Sequence, residues 1–214
     1  MKQELLIGIT ESGVMHTDAD PPIPLDTKFQ MVKESGVYDY FDKTPPLELE
    51  DDYRRCSEKY ELPILAGGWF YVLGRDEDLL MENLRLGARL GSLVHNTQIM
   101  MDHQDGSLVS DEQVVEIYLR AYETGEACGC RPTFEVHVNM WSEDFRRIEK
   151  VADLVEKQGI PFRMTLDHSH VIFKIDNPRE QEVFNIRESI ENGDLVLDPF
   201  QDNHVCGKWI DRGF

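Results

Sequence analysis

Basic residues are scarce in this 214-residue chain: Lys and Arg total 22 against 41 Asp and Glu, which gives a net charge of −19. A surface that binds nucleic acid or an anionic membrane non-specifically needs an excess of positive charge. The composition therefore argues against both classes of partner, although it leaves room for a small basic pocket.

Long apolar runs are also missing. No stretch approaches the roughly 18 consecutive apolar residues of a membrane helix, and the short apolar run near the N-terminus lacks the features of a cleavable signal. Cysteines are few, and their one close pair, Cys128-Gly129-Cys130, is a residue tighter than a redox or zinc CxxC motif. We expect a soluble, cytoplasmic protein with reduced structural thiols.

Strand-like and helix-like patterns alternate along the chain. The expected strands cover 5–10, 37–41, 63–73, 93–101, 133–138 and 162–166, with a short further strand at 195–197. The expected helices cover 27–34, 49–60, 76–90, 110–126, 142–159 and 178–190. Gly36 suits a helix C-cap, and Ser110 with Gln113 forms a capping box.

Six strand–helix units of about 30 residues each predict parallel strands with right-handed crossovers. No GxGxxG motif follows the first strand, which disfavours a dinucleotide-binding sheet. Polar residues recur at the strand ends, as they do in a TIM barrel, but a complete barrel usually needs about 250 residues and eight units. We therefore predict one α/β domain over 1–214: an incomplete (β/α)8 TIM barrel of six to seven units, truncated at its C-terminus. Its open strand edges predict a homo-oligomer or another partner that covers them.

Two acidic and histidine-rich segments stand where strands five and six end. Glu135 and His137 are two residues apart, so on a strand they face the same side. Asp167, His168 and His170 follow the next strand, and packing such groups without partners is costly. An edge-strand pair explains the first segment nearly as well, but together the segments predict a divalent-metal site.

Two further residues are candidates for substrate binding. Trp69 follows Gly67-Gly68 at the end of strand three, where its indole suits stacking on a sugar ring or packing in the core. Asn96 lies in strand four. We assign Trp69, Asn96 and His168 to substrate binding.

The chain resembles the xylose-isomerase-like TIM barrels over residues 5–193. The resemblance depends on Glu135, on the Leu-Asp-x-x-His segment Leu166–His170, and on Asn83–Gly91 before strand four. It implies that Glu135 and Asp167 are metal ligands and that His170 contacts substrate or metal. It also implies a His and a Glu from strands seven and eight. His204 is the one histidine after His170, and no glutamate follows Glu191, so this late pair has no clear counterpart.

These expectations predict a metal-dependent isomerase or epimerase acting on a sugar-like carbonyl compound. Mn, Mg, Zn or Co would be the cofactor, with Glu135, Asp167, His137 and His170 as ligands and Glu135 and His170 as catalytic groups. Three alternatives stay open: a metal-dependent lyase on a sugar derivative, a non-catalytic binding subunit, and a phosphodiesterase of the endonuclease IV type.

Overall fold

The computed structural model describes residues 5–14, 21–167, 172–175, 178–193, 196–197 and 205–208. Six parallel strands lie in one sheet in the order of the chain. They are β1 (Gly8–Thr10), β2 (Tyr40–Asp42), β3 (Ile64–Tyr71), β4 (Val94–Ile99), β5 (Arg131–Glu135) and β6 (Met164–Thr165). Sequential parallel strands joined by helices are the sheet order of a TIM barrel, so the predicted incomplete barrel is confirmed.

Helices separate these strands. They are α1 (Leu25–Ser35), α2 (Glu50–Tyr60), α3 (Glu77–Leu90), α4 (Asp111–Cys128), α5 (Phe145–Glu156), α6 (Pro178–Val183) and α7 (Ile186–Glu191). Short 3-10 turns cover Glu11–Gly13, Leu47–Leu49 and Trp141–Glu143. None of the helices within the described ranges has both the length and the apolar character that crossing a bilayer requires.

The C-terminal part differs from the expected pattern. Asn185 adopts a left-handed conformation (φ 50°), which splits the helix expected at 178–190 into α6 and α7. A second sheet, antiparallel and ordered β7-β9-β8, pairs β7 (Ile172–Ile175) with β9 (Val205–Lys208) and β9 with β8 (Val196–Leu197). The sequence reading missed β7 and β9, because their pairing joins segments about 30 residues apart and leaves no local pattern.

The chain forms two compact units. The first comprises Met1–Trp69, Leu79–Asn96 and Ala121–Pro132, and the second comprises Phe70–Asp78, Thr97–Arg120 and Thr133–Phe214.

Each unit has its own aromatic core. In the first, Phe29 of α1 stacks on Phe41 of β2 with ring centroids 4.3 Å apart. In the second, Tyr118 of α4 meets Phe134 of β5 edge-on at 5.0 Å. In both pairs a helix residue covers a strand residue, as the alternation of strands and helices predicts.

A buried carboxyl group lies in α6. Glu180 is almost fully buried in the second unit. Burial raises its pKa to about 8, and the nearby carboxylates of Glu143, Asp144 and Asp102 raise it further against the opposing effect of Arg147. Glu180 is therefore mainly protonated at neutral pH in the folded chain.

We expect Glu180→Gln to reduce the loss of stability between about pH 4.5 and pH 8. In that window the unfolded carboxyl group is ionised and the folded one is protonated, so unfolding releases a proton and wild-type stability falls as pH rises. Above about pH 8 the difference levels off. The variant should gain on the order of 5 kcal/mol relative to wild type across the window.

Urea unfolding at a series of pH values measures this effect. Glu182→Gln, an exposed position on the same helix, is the matched control and should follow the wild-type curve. Parallel curves for wild type and Glu180→Gln would contradict the assignment.

Candidate active site at the ends of strands four to six

Glu135 is the last residue of β5, and its side chain is only 6% exposed. Its Oε2 accepts a hydrogen bond from the Nε2 amide of Gln98 on the neighbouring strand β4. A carboxylate removed from water needs hydrogen bonds or a cation to offset its lost hydration. The Gln98 amide supplies one such bond and limits the rotation of the carboxyl group.

Strand alternation predicts that Asp167 faces the same side of the sheet as Glu135. The hydroxyls of Thr133 on β5 and Thr165 on β6 lie 2.7 Å apart, so these two side chains share a face. Glu135 is two residues beyond Thr133, and Asp167 is two beyond Thr165. Alternate residues of a strand face the same side. Because β6 ends at Thr165, the common face of Glu135 and Asp167 is predicted by extending this alternation two residues beyond the strand. Asp167 is half-buried.

Polar side chains end strand β5 and shape the loop that follows. The Ser142 hydroxyl donates to the carbonyl of Glu135 and accepts from the backbone N–H of His137 at 3.4 Å. Glu143 accepts the N–H of Asn139 at 2.7 Å, where the chain turns through φ 60°. The expectation that the strand reaches residue 138 was therefore wrong, because Ser142 bonds to backbone groups there.

The same contacts change the start of helix α5. Ser142 was expected to open this helix. Asp144 is the N-cap instead, and its carboxylate accepts the N–H of Arg146 at 3.0 Å. The Ser142 hydroxyl is engaged with Glu135 and His137, so the loop between β5 and α5 is longer than the sequence pattern indicated.

His137 follows the strand and is half-buried. Its Nδ1 lies 2.7 Å from the carbonyl oxygen of Val138. A carbonyl only accepts, so Nδ1 carries the proton, and in the neutral ring the lone pair is on Nε2. Phe70 meets the imidazole edge-on at 5.8 Å. A backbone carbonyl that fixes the tautomer in this way is typical of histidines that bind metals through the other nitrogen.

Trp69 and Asn96 lie in the first unit, whereas Glu135, His137 and Asp167 lie in the second. The Trp69 side chain is 42% exposed, so it is not a core residue. Asn96 packs closely on Gly68, where a Cβ atom would come within 2.8 Å of the Asn96 carbonyl oxygen. His168 and His170 fall outside the described residues, and their predicted roles stay predictions.

The donor set suits a hard or borderline divalent cation. Carboxylate oxygens from Glu135 and Asp167 are ligands that Mg²⁺ and Mn²⁺ prefer, and the imidazole of His137 suits Zn²⁺. Across the ranges that the structure describes, no group of three His, Cys, Asp or Glu side chains is close enough to hold a metal ion. A complete shell therefore needs further donors.

Sequence comparison found no relative: no model of a protein family and no curated protein matches.

Solved structures match in fold. The 3-keto-D-glucoside 4-epimerase YcjR from E. coli gives a TM-score of 0.59 at 12% identity over 89% of this chain and 76% of that chain. The probable 3-DHS dehydratase AsbF from Bacillus anthracis gives 0.53 at 13%, and the IOLI protein with a binding zinc atom gives 0.52 at 14%. The chain has the fold of the xylose-isomerase-like TIM barrels.

The fold match is incomplete in length. The match to the dehydratase covers 78% of this chain and 64% of the dehydratase. The match to the zinc-bound protein covers 74% of this chain and 62% of that protein. Most of the matching proteins named are described as enzymes.

Gln98 is a site residue that the sequence reading missed. It lies two residues after Asn96 on β4, so the two side chains share a face by alternation. Four consecutive polar residues, His95–Gln98, occupy the middle of this strand, so the sequence pattern does not single out Gln98. Only the position of Glu135 on the next strand shows what the amide contacts.

Proposed function

We propose that this protein is a divalent-metal-dependent isomerase or epimerase that moves a proton within a sugar-like carbonyl compound. The observation that carries the proposal is the buried Glu135 carboxylate at the end of β5, hydrogen-bonded to Gln98. The Thr133–Thr165 contact supports a common face for Glu135 and Asp167. The fold shared with a keto-glucoside epimerase and a zinc-bound protein supports it.

In this proposal Glu135 and Asp167 hold the cation, and His137 and His170 complete the shell or orient substrate hydroxyls. When bound, the cation supplies Lewis-acid polarisation of the substrate carbonyl, which acidifies the adjacent C–H. Glu135 is either a ligand or the base that removes this proton, and His170 is the second candidate for proton transfer. The Gln98 amide holds the Glu135 carboxyl group in one orientation. Trp69 and Asn96 are the proposed substrate contacts.

Solvent exchange tests the proposal. A panel of aldoses, ketoses and keto-sugars is incubated with the protein and Mn²⁺, Mg²⁺, Zn²⁺ or Co²⁺ in D₂O, and deuterium at the carbon next to the carbonyl is followed by NMR. We expect exchange with at least one sugar and metal, and its loss after chelation with EDTA. Exchange that persists in EDTA would contradict metal dependence, and no exchange across the panel would contradict the isomerase assignment.

A carbon–oxygen lyase is the second candidate, supported by the shared fold with a probable 3-DHS dehydratase. The same removal of an α-proton leads to elimination when a leaving group occupies the β-carbon. The two outcomes are distinguishable, because elimination produces a conjugated enone that absorbs in the ultraviolet and isomerisation does not.

A further inference from the structure

A basic cluster lies where strands β1 and β2 end, in a chain that is otherwise strongly acidic. We define it by its four members, Glu11, Lys28, Lys43 and Tyr53. Glu11 accepts from Lys28 Nζ at 2.7 Å, from Lys43 Nζ at 3.0 Å and from the Tyr53 hydroxyl at 2.7 Å. Burial raises the pKa of Glu11, but these hydrogen bonds outweigh it and lower the pKa to about 2. Glu11 is therefore ionised, and two ammonium groups share its single charge.

The two lysines differ in access to solvent. The Lys28 side chain is 15% exposed, whereas Lys43 is 28% exposed. The Lys43 ammonium also lies 5.9 Å from the ring centroid of Trp69, a residue that is 42% exposed. An accessible ammonium beside an accessible indole presents a positive charge and a flat apolar surface to the same ligand.

Hydrogen bonds of Lys43 and Thr44 hold the loop that carries Lys43 in place. The Lys43 backbone N–H donates to the Ala66 carbonyl at 3.0 Å. The hydroxyl of the buried Thr44 lies 3.2 Å from Nδ1 of His95, a buried ring whose pKa burial lowers to about 3. Gly67 makes this contact possible, since a Cβ atom there would lie 2.3 Å from the Thr44 hydroxyl.

A fixed backbone reduces the entropy lost when a ligand binds. The carboxylate of Glu11 holds the Lys43 side chain. The bond to the Ala66 carbonyl and the contact between Thr44 and His95 hold the Lys43 backbone. Binding residues are commonly held in place by neighbouring contacts of this kind.

We propose that Lys43 and Trp69 form a subsite for a small anionic molecule, in which Lys43 pairs with a carboxylate or phosphate and Trp69 stacks on the carbon skeleton. This subsite goes beyond the proposed function and stands without it, because binding there requires neither a metal nor turnover.

Calorimetric titration in EDTA tests the subsite with three probes of similar size: D-glucuronate, D-glucose 6-phosphate and neutral D-glucose. We expect saturable binding of at least one charged probe and at least about tenfold weaker binding of glucose. The two charged probes separate a carboxylate preference from a phosphate preference. Lys43→Met should lower the affinity for the charged probe by about tenfold or more, and Lys43→Arg should retain most of that affinity.

Lys59→Met is the matched control. Lys59 also pairs with a carboxylate, Asp26 at 2.8 Å, and lies 4.7 Å from the centroid of an aromatic ring, Tyr60, but it belongs to the end of helix α2. Equal losses of affinity for the charged probe in Lys43→Met and Lys59→Met would overturn the proposal. Two wild-type results would also overturn it: glucose that binds as tightly as both charged probes, or no saturable binding of either charged probe. If a variant fails to fold, the comparison of charged probes with glucose on the wild-type protein still tests the subsite. Chelator is present throughout, so failure here is separate from failure of the metal-dependent reaction.

Discussion

We expect Glu135→Gln to reduce the rate of solvent-proton exchange by at least about 100-fold and to leave the urea unfolding midpoint close to that of wild type. Glutamine has the shape of glutamate and still accepts the Gln98 amide bond, so the packing at the end of β5 is preserved. What it loses is the negative charge, which in our proposal holds the cation or takes the proton. The variant therefore separates chemistry from folding at this position.

The measurement is the D₂O exchange assay with the most active sugar and metal, together with urea unfolding of the same preparation. Glu156→Gln is the control, since it makes the same change on an exposed position of α5 in the same unit. An exchange rate within a few-fold of wild type for Glu135→Gln would remove Glu135 from the proposed site. A large loss of stability would mean that its role is structural.

We expect Arg147→Met to lower the free energy of unfolding by about 3 kcal/mol. Arg147 is 3% exposed, and its Nε donates to Asp111 at 2.7 Å while Nη2 donates to the Val109 carbonyl at 2.6 Å. Its guanidinium carbon also lies 4.4 Å from the ring centroid of Phe184. Methionine fills much of the volume but removes the donor to the Val109 carbonyl. Asp111 loses its bond to Arg147 and keeps the ion pair with Lys150 Nζ at 2.8 Å.

Urea unfolding at pH 7 measures the change. Arg120→Met is the matched control, because Arg120 pairs with the exposed Asp78 at 3.2 Å on the surface of the same unit. Exposed ion pairs contribute little, so this control should keep the wild-type midpoint. Equal effects at the two positions would show that burial of the Arg147 pair adds no stability.

The features that depend on neighbouring residues were predictable from the sequence. Gly36 ends α1 in the left-handed conformation with φ 64°, as expected of a C-cap. Ser110 and Gln113 form the predicted capping box, with reciprocal bonds of 2.8 and 3.2 Å. The alternation of strands and helices likewise gave the barrel order. Each of these depends on contacts within a few positions along the chain.

Features that depend on distant residues were not predictable. The end of β5 is set by Ser142, which has no strand-breaking pattern of its own. Glu135 was identified because it lies two residues from His137 at a predicted strand end and matches the strand-five Glu of the family that the chain resembles. Its partner Gln98 is an ordinary polar strand residue until the strands are paired. The presentation of Lys43 depends on contacts between Thr44, His95 and Gly67, which are far apart in the sequence.

The central claim is that Glu135 and Asp167 bind one divalent cation together. A Mn²⁺ titration followed by electron paramagnetic resonance, on wild type, Glu135→Gln, Asp167→Asn and the double variant, tests it most directly. We predict one tight ion per wild-type chain, a loss of affinity of about tenfold or more for each single variant, and a double variant little weaker than either single one, because residues that share one ion are coupled. Wild-type affinity in both single variants, or losses that simply multiply in the double variant, would contradict the claim.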